Sequence, residues 1–185
     1  MSHQPDNIDE GDSQFSISSQ ILVIDDRETD RQAVIAALID SYRVQAATSL
    51  REAVDILRRE QIGVIVANAE VAGVDVTILL TEVARVDPAI TAIVLTEPAK
   101  ADTITKLVSS GKIFRLAMKP VRVDMLRLAG NAAMREHHRR LADPRVIRGR
   151  MQQDAAKEPS DGEAYSALAQ TITNKKNAAK SPGRR

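Results

Sequence analysis

Polar or ionisable side chains stand at the ends of four short apolar runs in this chain. Asp25 and Asp26 follow Gln20 to Ile24 (QILVI), and Asn68 closes Val64-Ile65-Val66-Ala67. Thr96 closes Thr91 to Leu95 (TAIVL), and Lys119 follows Ile113 to Met118. If the runs are buried strands of one parallel sheet, all of these residues lie on one rim. Open α/β sheets place their chemistry on that rim. Two carboxylates, a hydroxyl and an ammonium gathered there could handle a charged ligand. The amide of Asn68 brings no charge, although the chain has carboxylates elsewhere.

The elements needed to gather them are legible between the runs. A helical pattern follows Asp26 to about Ser41, with Ala33, Val34, Ala37 and Leu38 spaced for one buried face. Arg43 to Ala46 is a short strand. Thr48 or Ser49 can cap the next helix, and Glu52 completes a capping box with Ser49. Leu50, Ala53, Val54 and Leu57 then follow the i, i+3, i+4, i+7 spacing of an amphipathic helix. Gly73 ends the loop after Asn68, and Ile78, Leu79 and Val83 mark a helix that stops before Pro88. Ile104, Leu107 and Val108 mark another, closed by Gly111. A long helix runs from about Val121 to Ala142, with Met125, Leu128, Ala129 and Ala132 as its core-facing stripe and Leu126 and Ala133 beside it. Strand and helix alternate five times, which predicts a parallel sheet covered on both faces.

Composition sets the outer bounds. The chain has 185 residues, 43% of them hydrophobic but only 2% aromatic, so its core must be aliphatic. With no Cys there is no disulfide and no thiolate metal site. That suits a cytoplasmic protein. No apolar run approaches the ~18 residues of a membrane span, and the acidic start (Asp6, Asp9, Glu10, Asp12) is not a signal peptide. Net charge is +1, acidic at the front and basic at the end. Residues 1–19 read as a disordered acidic arm and 20–142 as one domain. Residues 143–185 read as a flexible basic tail with a weak helical patch at Ala164, Tyr165, Leu168 and Ile172.

"ILVIDD", the strand-end residue five before Gly73, "IVLT" and "KP" together resemble the receiver domain of two-component response regulators. The resemblance covers residues 20 to 142, and "GKIFRLAMKP" is similar to a receiver subgroup. It implies a flavodoxin-like, doubly wound five-stranded sheet in the order 2-1-3-4-5. It also implies a cis bond at Lys119-Pro120 and a pocket made by Asp25, Asp26, Thr96 and Lys119. In the family, an Asp at the end of the third strand accepts a phosphoryl group from a histidine kinase. That position is Asn68 here. A carboxylate offers phosphorus an anionic oxygen; the amide oxygen is neutral and a poor nucleophile. The family's metal site maps to Asp26, Asn68 and the backbone carbonyl of Glu70, with Asp25 supporting through water. Losing one carboxylate weakens such a site, so no cofactor is required and any Mg²⁺ would be held weakly. Lys119 is expected to pair with Asp25 or Asp26 instead of a phosphoryl group.

Two further departures point the same way. The switch position three before the lysine, an aromatic in active receivers, is Leu116. Glu97, where a small residue is usual, sets a carboxylate at the pocket mouth. The resulting expectation is a pseudo-receiver, not an enzyme, that signals by binding proteins without phosphorylation. Its surface would be the fourth helix, fifth strand and last helix, with Met125 and Leu126 in contact. The partner would be a histidine kinase, an output regulator or a second copy, and no membrane. Two rivals stand beside this. One is a nucleic-acid-associated regulator using the basic tail, which lacks the aromatics of single-strand binders. The other is a phosphorelay receiver using another acceptor. Plainer readings exist too: Asp25 and Asp26 could cap the first helix, Thr96 could be a strand-end hydroxyl, and Lys119-Pro120 a turn. His137 and His138 read as a solvated helix end, since neighbouring helix residues do not share a face.

Overall fold

In the computed structural model, residues 20–98, 113–143, 145, 146 and 170 are described. The acidic arm, the expected helix around Ile104 to Gly111 and the patch residues Ala164, Tyr165, Leu168 and Ile172 fall outside them.

Five apolar segments form one parallel sheet: β1 (Gln20–Ile24), β2 (Arg43–Ala47), β3 (Ile62–Asn68), β6 (Thr91–Thr96) and β7 (Arg115–Met118), in the order β2-β1-β3-β6-β7. Two short strands, β4 (Glu70–Val71) and β5 (Val74–Asp75), intervene as an antiparallel hairpin. With that hairpin set aside, the order is the doubly wound 2-1-3-4-5 that the resemblance implies. The helices are α1 (Glu28–Leu38), α2 (Leu50–Arg59), α3 (Thr77–Val86) and α4 (Val123–Leu141).

Alternate residues of each strand face opposite sides of the sheet, and both sides are dry. Leu22, Ile24, Ile65, Ala67 and Val94 join Leu50, Ala53, Val54, Leu79, Leu80 and Val83 from α2 and α3. Ile21, Val23, Val64, Val66, Ile93 and Leu95 join Val34, Ala37 and Leu38 from α1 and Leu126, Ala129, Ala133 and Met134 from α4. Burial on both faces is why β1, β3 and β6 are continuous apolar runs.

Several local expectations change. In α1 the face is set by Arg31, Val34, Ala37 and Leu38, and Ala33 is exposed. Arg31 can be buried because its guanidinium donates to the Asp25 carbonyl at 2.8 Å and pairs with Glu28. At α2, Ser49 caps the Glu52 amide at 3.2 Å, but Glu52 reaches back to the backbone and hydroxyl of Thr48. The capping box is thus lengthened by one residue.

The α4 stripe is rotated from the expected one. Leu126, Ala129, Gly130, Ala133, Met134 and His137 are buried, while Met125 and Leu128 are 52% and 62% exposed. Leu126 is therefore core, packed with Leu38 and Leu95, and cannot belong to an interaction face. His137 is likewise no solvated end: it is 1% exposed, with Nδ1 2.7 Å from the Ala89 carbonyl. Seen from sequence, Met125, Leu128, Ala129 and Ala132 make as regular a stripe. The choice falls to shape, because close packing on α1 wants the small Ala129, Gly130 and Ala133; a Cβ on Gly130 would lie 3.0 Å from Leu38 Cδ2.

Candidate functional site

The rim forms because four strands end together. Asn68 pairs in register with Leu95, and Thr96 with Met118. Asp25 follows β1 and donates its amide to Ala47 at 3.1 Å; Lys119 follows β7 and donates its amide to Thr96 at 2.8 Å. The Lys119-Pro120 peptide is cis. An open cleft of about 220 Å³ lies over this rim, lined by Asp26, Arg27, Asn68, Glu70, Thr96 and Glu97 among others.

Each rim residue has a definite environment. Asp25 is 1% exposed; one carboxylate oxygen accepts the Arg27 amide at 3.0 Å and the other meets Lys119 Nζ at 3.2 Å. It accepts the amide of Arg27, the N-cap residue of α1, and balances the lysine; no side chain caps the helix itself, so the plain capping reading of Asp25 and Asp26 does not hold. Asp26 is exposed and faces the cleft. The buried Thr96 hydroxyl donates to the Glu97 carbonyl at 3.3 Å. Glu97 is exposed at the mouth, where the sequence sets it.

Lys119 is shared between Asp25 and a residue that sequence reasoning passed over. Asp30 Oδ2 is 2.8 Å from Lys119 Nζ and 2.7 Å from Arg27 Nη2. The hydrogen bond from Lys119 is the chief reason its carboxyl is held below the usual range. Asp26 takes no part in this pairing. Arg27 and Asp30 lie i, i+3 across the first turn of α1, a spacing that could have flagged them.

Asn68 makes the contact that decides what the site can hold. Its side-chain amide Nδ2 donates to the Glu70 carbonyl at 2.7 Å. A carbonyl can only accept, so the nitrogen must be the atom turned toward it. That carbonyl is held by the β4–β5 hairpin, whose turn residues Ala72 (φ 50) and Gly73 (φ 78) both take positive φ, as a tight two-residue turn requires. The N–H therefore points at an oxygen that the resemblance assigns to the metal.

Leu116 is half-buried against the α2–α3 side of the sheet, whereas Phe114 packs on the α1–α4 side. A bend at Phe114 breaks the alternation, so the nearby aromatic does not reach the switch position.

Residues 21–130 match the family described as the response regulator receiver domain. The chain belongs to that family. Among solved structures, a receiver domain protein from Clostridium thermocellum is 28% identical, with TM-score 0.59, covering 63% of this chain and 94% of that one. The signal receiver domain of an HD domain-containing protein from Pseudomonas fluorescens Pf-5 is 25% identical, with TM-score 0.61 and coverage of 66% and 91%. A Rhodopirellula baltica structure described as an adenylate cyclase is 19% identical, with TM-score 0.62 and coverage of 76% and 99%; it shares the fold. No curated protein matches the chain.

The residues that the resemblance assigns to a receiver's magnesium, Asp26, Asn68 and the Glu70 carbonyl, meet at this cleft with one carboxylate fewer. Mg²⁺ demands oxygen donors in near-octahedral array, and Asn68 presents an N–H toward the Glu70 carbonyl. A full charge at ~4 Å and an effective dielectric near 20 is worth about 4 kcal/mol before desolvation. Asn68→Asp is therefore expected to bind Mg²⁺ at least about tenfold more tightly than wild type, a step of about 1.4 kcal/mol. Calorimetric titration checks this, and equal affinities would contradict it.

Proposed function

We propose that this receiver is a pseudo-receiver: a signalling module that binds its partner without being phosphorylated. The observation that carries the reading is the Asn68 amide at the acceptor position, closed onto the Glu70 carbonyl at 2.7 Å. Three features support it. Lys119 is already neutralised by Asp25 and Asp30. Glu97 adds a carboxylate at the mouth. Leu116 has no polar tip to swing between a buried and an exposed state. With no phosphoryl group and no rotating aromatic, the distal surface rests in one state and its binding is constitutive.

The contact surface we assign is the exposed apolar strip along the start of α4. Met125 and Leu128 are 52% and 62% exposed there. A partner that covers such side chains gains roughly 1.5–3 kcal/mol for each one fully buried. The partner is a signalling protein, either a kinase or an output regulator, or a second copy of the chain. The working unit is residues 20–142.

Affinity capture with full-length protein checks this. Met125→Glu or Leu128→Glu should lower partner recovery at least about tenfold. Asn68→Ala should leave it within about twofold. The opposite pattern would mean that the rim still carries the signal.

A further inference from the structure

Arg27 lines the cleft, Lys119 follows β7 at the same rim, and one side chain engages both. Asp30 Oδ2 lies 2.8 Å from Lys119 Nζ and 2.7 Å from Arg27 Nη2. An ammonium has three N–H donors. Asp25 takes one at 3.2 Å and Asp30 another. The lysine side chain is only 14% exposed, so little water competes for it. Arg27 lines the cleft, yet its guanidinium is drawn onto the same carboxylate. Together Asp25, Lys119, Asp30 and Arg27 carry no net charge. Asp26 and Glu97 also line the cleft and are exposed.

The geometry points to Asp30 as a specificity-determining residue: a built-in counter-ion that occupies Lys119 and Arg27 and so excludes tetrahedral dianions, phosphate and small phosphodonors, from the cleft. This rests on the reading of the rim as a receiver pocket, but it is separate from the loss of the acceptor. Asn68 removes the nucleophile, whereas Asp30 removes the electrostatic welcome for the donor. The protein therefore carries two independent blocks, and restoring Asp at position 68 lifts only one. Removing Asp30 leaves Lys119 with Asp25 alone and frees Arg27 over the cleft. The local charge then rises by one unit where the phosphoryl group must pass.

The test compares Asn68→Asp with the double variant Asn68→Asp/Asp30→Asn, using acetyl phosphate and Mg²⁺. In the labelling step the introduced carboxylate oxygen attacks phosphorus, the bond from phosphorus to the acetyl oxygen breaks, and acetate leaves. The double variant should label at least about tenfold faster while keeping the folded circular dichroism spectrum. Asn68→Asp/Asp30→Glu should return to the slow rate, because it restores the charge. Equal rates in the first two proteins would overturn the role of Asp30. Should neither take label, an NMR titration with inorganic phosphate decides the matter in the Asn68 background. Asp30→Asn should bind at least about fivefold more tightly than wild type, with shifts at Lys119 and Arg27, and unchanged affinity would overturn the proposal. Label on wild-type protein would sink the pseudo-receiver reading alone, since the Asp30 comparison can still be read.

Discussion

Leu126→Glu is expected to unfold the protein or bring it close to unfolding, while Met125→Glu, one residue away, leaves it folded. Leu126 is 3% exposed and packed between α1 and the sheet; Met125 is 52% exposed. A carboxylate at Leu126 would lose the aliphatic contacts and bury a charge with no partner. Either change is costly, and together they amount to at least about 4 kcal/mol. A domain with roughly 5–15 kcal/mol in hand loses most of its stability. Met125 lies in the first turn of α4, where a negative side chain interacts favourably with the free N–H groups of the helix end. Its substitution should move stability by no more than about 0.5 kcal/mol. Urea unfolding followed by circular dichroism separates the two cases. Equal midpoints would show that the helix is rotated from the position described. The pair also guards the binding experiment, because only Met125→Glu tests a surface.

The strands and the rim were readable in the sequence, and the orientation of the last helix was not. Continuous aliphatic runs ending in a polar residue have one good explanation in an alternating pattern, a buried parallel strand whose end meets solvent. Asp25, Asn68, Thr96 and Lys119 therefore fell on the rim as expected. The α4 sequence VDMLRLAGNAAM offers two apolar stripes one residue apart, and hydrophobicity ranks them about equally. Packing on α1 selects the one with small residues, a choice made by shape. His137 was misread for a similar reason. Its neighbours are charged, yet it alone turns inward, where the Ala89 carbonyl meets it. Asp30 was missed because its role depends on Lys119, 89 residues away, and on the cleft geometry that brings them together. The β4–β5 hairpin is two residues per strand, too short for any periodicity to show.

The pseudo-receiver proposed above has no phosphoacceptor. Wild-type protein incubated with acetyl phosphate and Mg²⁺ should gain no phosphoryl group. Its amide offers no anionic oxygen, and its N–H is committed to the Glu70 carbonyl. Asn68→Asp restores the nucleophile at a strand end where Asp25, Asp26, Thr96 and Lys119 remain in place, so some label should appear. Asp30 and Glu97 should keep the rate low. The most direct measurement is intact mass of both proteins after this incubation, with and without hydroxylamine, which cleaves acyl phosphates. The account predicts no added mass on the wild type and a hydroxylamine-sensitive phosphoryl mass on Asn68→Asp; a hydroxylamine-sensitive phosphoryl mass on the wild type would contradict it.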